Sequence, residues 1–352
     1  MSIFTIFSPD DVTGVRSTEV TTGLWSPNET GSLSAVYSSS VQIGISGEYY
    51  YDMYNLQTNN SEAEVQFSVA YGHRLGSGSP SLAVKNDSTM PTQVIYSQYK
   101  NILLESDAVF SFDGVDSNHI YVININRSRM KQALDAGNWE LGLKGANGQF
   151  TFIDDSGAAN EVVGNIIASS VYNIVSGTIA TGQAADTTIY GLAFPDYGAL
   201  VLYPNAISAS IGLTAATGAD MRTSTTTPFA PWTGSGINDY QYQHEGLVRA
   251  ISASMANGYP FKARSVEKVA SQNYFVRLKN GEYNYTNNPS YYTTAADGSK
   301  VILDVFKDKP LTYASTIGLY NGANELVAVA KLSRPIQKNE DREALIRVRL
   351  DY

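Results

Sequence analysis

From Ala63 to Tyr71 the chain alternates polar and apolar residues. Val65, Phe67, Val69 and Tyr71 fall on one side, and Glu64, Gln66 and Ser68 on the other. A repeat of two is the signature of a β-strand, whose successive side chains point to opposite faces. This segment therefore has to lie in a sheet with one covered face. The same rhythm returns at Trp139, Leu141 and Leu143, and again over Ala344–Leu350. The one long run of helical spacing is Asn238 to Ala256. There Leu247, Ala250, Ile251, Ser254 and Met255 share one face, Asn238 suits the N-cap, and Gly258 with Pro260 ends the helix. A second helix is expected over Pro91–Leu104, with Ile95, Tyr99, Ile102 and Leu103 aligned. A short basic one is expected over Arg127–Leu134, capped by Gly137. The expected fold class is mainly β with a few helices (α+β), in a multi-domain β-sandwich or sheet architecture.

Turn chemistry orders the remaining strands. Gly47–Tyr54 and Ala63–Tyr71 read as a hairpin, and Pro195-Asp196-Tyr197-Gly198 reads as the turn between Ile189–Phe194 and Ala199–Tyr203. Further strands are expected at 108–112, 120–125, 148–153, 273–278, 301–306, 311–320, 325–332 and 344–350, with Asn321-Gly322 as a two-residue hairpin turn. In the last strand Ile346, Val348 and Leu350 are expected inside, and Leu345, Arg347 and Arg349 toward solvent or an acidic partner. That strand is expected to join the sheet of the 311–332 hairpin, with Ser333–Asp341 as the reversing linker. The expected segments are an extended arm over 1–45, an α+β domain over 46–159, a β-rich, weakly charged domain or insertion over 160–236, and a helix with a C-terminal β domain over 237–352. The Ser/Thr-rich arm is expected to lie against another chain or another domain.

Composition narrows the classes of function. Of 352 residues, 43% are hydrophobic, enough for a sizeable core, while only 16% are charged. Tyr is abundant, with 24 copies, and offers a broad ring and a hydroxyl at low entropic cost. The chain has no cysteine, which excludes disulfides, thiolate zinc sites and a Cys nucleophile. No basic-then-apolar leader and no long apolar run is present, so neither a signal peptide nor membrane insertion is expected. Residues 1–261 carry 10 Lys and Arg against 23 Asp and Glu, whereas residues 262–352 carry 14 against 10. An acidic body argues against nucleic acid as a partner. A basic end beside an acidic body permits head-to-tail contact between copies or partners.

Catalytic motifs are missing. His73, His119 and His244 are widely spaced, with no His-x-x-x-His. His244 is expected on a solvated helix face. Asp113-Gly114-Val115-Asp116 and Asp154-Asp155-Ser156-Gly157 lack the spaced oxygens of a calcium loop and read as turns, and the Gly-rich run 76–80 reads as a loop. No enzyme activity, cofactor or metal site is expected. The candidate interaction residues are Tyr283, Tyr285, Tyr291, Tyr292, Arg347 and Arg349.

One stretch is more specific. Leu311–Pro335 contains Ile317-Gly318-Leu319-Tyr320, the Asn321-Gly322 turn and Leu326-Val327-Ala328-Val329-Ala330-Lys331. It resembles a hairpin pattern of tail and baseplate proteins of contractile-tailed bacteriophages. Residues 274–289, 342–352, 94–104 and 121–127 are similar to large structural proteins of such phages, especially cyanophages. The resemblance touches pieces across most of the chain and is densest after residue 270. It implies a non-enzymatic virion protein of the tail, made in the host cytoplasm, with baseplate or baseplate-peripheral placement. Its implied partners are other tail or baseplate proteins and copies of itself. A neck or tail-fibre connector, or a receptor- or glycan-binding tail protein, is the alternative. A glycan binder would expose Trp and Tyr in a groove, and only Trp25, Trp139 and Trp232 are present.

Overall fold

A computed structural model describes residues 5–26, 28–38, 50–75, 92–157, 166–167, 170–212 and 243–352. The Gly-rich run 76–80, Trp232, Pro91 and the Asn238 cap lie outside the described residues. The fold is mainly β with a few helices, as the periodicities require. Two compact units divide the chain: Glu19–Glu267, and Met1–Thr18 with Lys268–Tyr352. Segments 46–159 and 160–236 both contribute strands to one sheet of the first unit.

That sheet is antiparallel and ten-stranded. It contains β1 (Tyr37–Ser38), β2 (Tyr50–Tyr54), β3 (Val65–His73), β4 (His119–Ile125), β5 (Leu141–Gly145), β6 (Gly148–Asp154), β7 (Tyr172–Thr178), β8 (Gly191–Phe194) and β9 (Ala199–Leu202). Their spatial order is β5-β6-β7-β8-β9-β4-β3-β2-β1, with Gly182–Gln183 paired to β7. The expected β2–β3 hairpin is present, and the β8–β9 turn closes on Gly198 at φ 64°. Its three helices among the described residues are α1 (Thr92–Leu103), α2 (Pro204–Ile211) and α3 (Gln243–Ala256).

Both sheet faces are covered. Phe67, Tyr121, Ile123, Leu141 and Ile174 share a core with Leu247, Ala250, Ile251 and Met255 of α3. Ile120, Val122, Leu192 and Val201 share another with Tyr96 and Leu103 of α1. Double coverage explains why β8 and β9 are buried at every position rather than alternating. At about 1.5–3 kcal/mol per buried large side chain, Leu247, Ile251 and Met255 are the main anchors of α3. The backbone of α1 comes so near β3 that a Cβ on Gly72 would lie 2.7 Å from the amide nitrogen of Tyr96.

Several expectations are corrected. His244 is buried, 2% exposed, with its ring 5.2 Å from that of Tyr51. The apolar coverage of α3 extends around the helix and takes the histidine with it. Gln66 sits on the polar side of the alternation but is fully buried. It accepts from the Ser26 amide at 3.0 Å and donates to Ser26 Oγ at 2.8 Å. Within the N-terminal arm, Leu24, Trp25, Leu33 and Val36 lie in one core with Phe67 of the following segment.

Arg127–Leu134 is not a helix. Asn126 Oδ1 accepts from the backbone and hydroxyl of Ser128, both at 3.1 Å, and this local turn replaces the helical ladder. Ala133–Leu134 instead pairs with Ser265 and Val266. Gly137 does adopt a left-handed φ of 77°, but in a turn whose amide donates to the Asp154 carboxylate at 2.9 Å. Asp113 and Gly114 form the tight turn of a small hairpin, with φ 52° and 75°.

In the second unit, β10 (Arg264–Leu278), which begins in the first, pairs antiparallel with the C-terminal strand Ala344–Asp351. That strand is therefore not in the sheet of the 311–332 hairpin, which forms a separate two-stranded sheet. Of its predicted faces, Ile346 and Val348 are buried and Leu345, Arg347 and Arg349 exposed as expected, whereas Leu350, expected inside, is only half-buried near the chain end. The segment expected at 301–306 divides into Lys300–Ile302, paired with Tyr292–Thr294, and a 3-10 turn over Asp304–Phe306.

Candidate assembly surface

The separate hairpin consists of β11 (Thr312–Tyr320) and β12 (Leu326–Lys338). Its ladder has two stretches. Thr312–Ala314 faces Ile336–Lys338, and Thr316–Tyr320 faces Leu326–Lys331. Leu332–Pro335 makes an excursion between them, where Pro335 has no N–H to give to a ladder. Ser333–Lys338, expected as linker, belongs to β12. The loop is also longer than a two-residue Asn-Gly turn. Asn321 Oδ1 accepts from the amides of Ala323 at 3.0 Å and Glu325 at 2.9 Å, and Asn324 takes the left-handed φ of 63°. The Asn321 side chain supplies an acceptor that a tight turn would not use.

The base of the hairpin is fastened. Lys338 is 1% exposed, and its ammonium donates to the carbonyls of Asn280 at 2.9 Å and Asn339 at 2.8 Å and to Asn284 Oδ1 at 2.8 Å. All three of its protons are thereby used. Thr312 Oγ1 donates to the Tyr283 carbonyl at 2.6 Å. Toward the loop Leu319 is buried, but several aliphatic side chains of β12 are exposed. Leu326, Val327 and Val329 are 54%, 65% and 58% accessible. On the same side the Tyr320 ring and Leu326 lie over Gly318, whose missing Cβ would meet them at 2.9 and 3.2 Å. A two-stranded hairpin is marginal in water by itself, and clustered exposed aliphatic residues mark contact surfaces.

The candidate residues fall into three places. Tyr285, Tyr291 and Tyr292 come together edge to face, with ring centroids 5.7–5.9 Å apart. Tyr291 stacks on Phe306 at 4.6 Å, and the Lys300 ammonium lies 5.5 Å from the Tyr292 ring centre. Burial and the neighbouring Tyr285 phenol raise the Tyr292 hydroxyl to about 12, so it stays protonated and donates to the Thr286 carbonyl at 2.5 Å. Tyr283 is outside this ring cluster. It is held at a left-handed φ of 55°, and its hydroxyl meets Thr5 Oγ1 at 2.6 Å. Arg347 and Arg349 stand on the C-terminal strand beside β10, and Arg349 pairs with Asp351 of that strand at 2.6 Å.

Two polar pairs lay beyond the reach of spacing. Asp11 forms an ion pair with Arg277 across the sequence, and that hydrogen bond holds its carboxyl below the ordinary carboxylate value. His73 and His119 face each other directly across β3 and β4, ring centroids 5.8 Å apart. His119 Nε2 contacts Asn205 Oδ1 at 2.8 Å, and His119 Nδ1 contacts the Tyr71 hydroxyl at 3.2 Å. Burial, then the adjacent imidazole, lowers His73 to about 4, and burial also lowers His119. Strand register, not sequence distance, creates this pair. Among the described residues no three His, Asp or Glu side chains gather as a metal-ligand group. No helix among them is long and apolar enough to cross a membrane. Comparison with family models, curated proteins and solved structures gives no match.

Proposed function

We propose that this chain is a non-enzymatic structural protein of a tailed-phage virion, placed in the baseplate or its periphery, where it joins neighbouring subunits. The observation that carries this reading is the β11–β12 hairpin, which holds Leu326, Val327 and Val329 in water on a firmly anchored base. Such a surface suits a subunit that is covered after assembly. The hairpin is also the stretch that resembles phage tail and baseplate proteins. Partners are other tail or baseplate proteins and copies of the same chain.

Quantitative mass spectrometry of gradient-purified virions tests the reading. The chain should copurify with tail proteins in a fixed ratio that survives high-salt washing. Its absence from particles would overturn the proposal. A second reading, a receptor- or glycan-binding tail protein, is favoured by Tyr285, which is 57% exposed at the edge of the tyrosine cluster. Glycan-array binding that disappears in Tyr285→Ala would support it over the first.

A further inference from the structure

The two outer edges of the hairpin differ in chemistry. β12 carries Lys331, Arg334 and Pro335, the charges and missing N–H that block edge-to-edge strand pairing. β11 carries none of these. Its nine residues, Thr-Tyr-Ala-Ser-Thr-Ile-Gly-Leu-Tyr, hold no charge and no proline, and among the described residues β11 pairs only with β12. The nine residues of β11 exceed the usual strand length of about 5–6, and Ser315, Thr316 and Gly318 along its middle are exposed.

We propose that β11 is a self-recognition edge: two copies of this chain join by antiparallel pairing of β11 with β11, making one four-stranded sheet across a two-fold axis. The inference rests on the assembly reading and names its first partner. The choice of a second copy follows from charge. A strand opposed to itself antiparallel brings every residue against a residue of the same strand, so any Lys, Arg, Asp or Glu in it would meet like charge near the axis. β11 avoids this at every position, whereas β12 would set Lys331 and Arg334 against their copies. A charged foreign strand, in turn, would find nothing on β11 to complement it. Pairing satisfies the outward N–H and C=O groups of β11 and continues the surface of Gly318, Tyr320 and Val329 from one copy to the next.

The chain's lack of cysteine makes the test direct. Ser315→Cys, Thr316→Cys and Ile317→Cys, made singly in the full chain, should give a disulfide-linked dimer under mild oxidation at the position nearest the axis. Ser333→Cys on β12 should stay monomeric on denaturing gels, because bridging needs Cα atoms within about 7 Å. Thr316→Lys should weaken the native dimer at least tenfold, less so in high salt, with an unchanged Tm. A native oligomer that gives no β11 cross-link and tolerates Thr316→Lys would overturn β11 pairing and leave the assembly reading standing. A wild-type chain monomeric at every accessible concentration would overturn β11 pairing, while virion composition would still decide the assembly reading separately.

Discussion

The ammonium of the buried Lys338 meets the side-chain oxygen of the half-buried Asn284 at 2.8 Å. Fifty-four positions separate the two residues, and their contact ties the end of β12 to the loop after β10. A buried cation is tolerable here because three oxygens replace its hydration. Lys338→Met should strand those acceptors and lower stability by about 2–3 kcal/mol, read from urea midpoints. Lys338→Arg should not restore it, since a planar guanidinium does not fit a site made for a compact ammonium.

Asp11 and Arg277 predict an acid-dependent effect. The carboxyl of Asp11 is held below its ordinary 3.8 by the Arg277 hydrogen bond. The stabilisation is therefore complete above pH 3.8 and is lost as pH falls through the lower, folded value. Asp11→Asn should lower the Tm at pH 7, and the gap between variant and wild type should close in strong acid. A gap that persists unchanged there would contradict the ion pair.

The histidine pair predicts a loss in the same direction but at higher pH. His73 titrates at about 4 when folded against an ordinary 6.5, so only the unfolded chain takes up its proton between those values. Stability should be full above pH 6.5, fall as pH drops from 6.5 to 4, and level off below. With partial solvent screening the His73 share is about 2 kcal/mol. His73→Gln should flatten this part of the profile, measured as urea midpoints from pH 8 to pH 4.

Gly72→Ala should destabilise the first unit by about 1–3 kcal/mol, since the added methyl meets the α1 backbone at Tyr96 rather than a movable side chain. Gly114→Asn, in an open turn with φ 75°, should cost far less. Parallel thermal melts compare the two.

Local rules made much of the fold legible. The period-two run at Ala63–Tyr71 identified β3, the turn at Pro195–Gly198 identified β8 and β9, and the helical face of Leu247, Ile251 and Met255 identified α3. What failed depended on partners distant in sequence. Nothing near Gln66 says that Ser26 covers it, and nothing near His244 says that Tyr51 does. The C-terminal strand had the right faces but the wrong neighbour, because alternation sets which side is buried and not which edge is joined. The candidate assembly surface was half visible. Leu326–Lys331 read as a strand, but the exposure of Val327 and Val329 depends on this hairpin remaining a separate sheet. The signal that was available is the contrast between an uncharged β11 and a β12 with Lys331, Arg334 and Pro335.

Sedimentation velocity of the purified full chain over a wide concentration range, with Val327→Glu/Val329→Glu beside it, tests the central claim that the hairpin is an assembly surface. The wild type should sediment above its 38.1 kDa monomer mass, and the double variant should return to the monomer with the same Tm. An oligomer that carboxylates at both exposed positions leave intact would contradict the account.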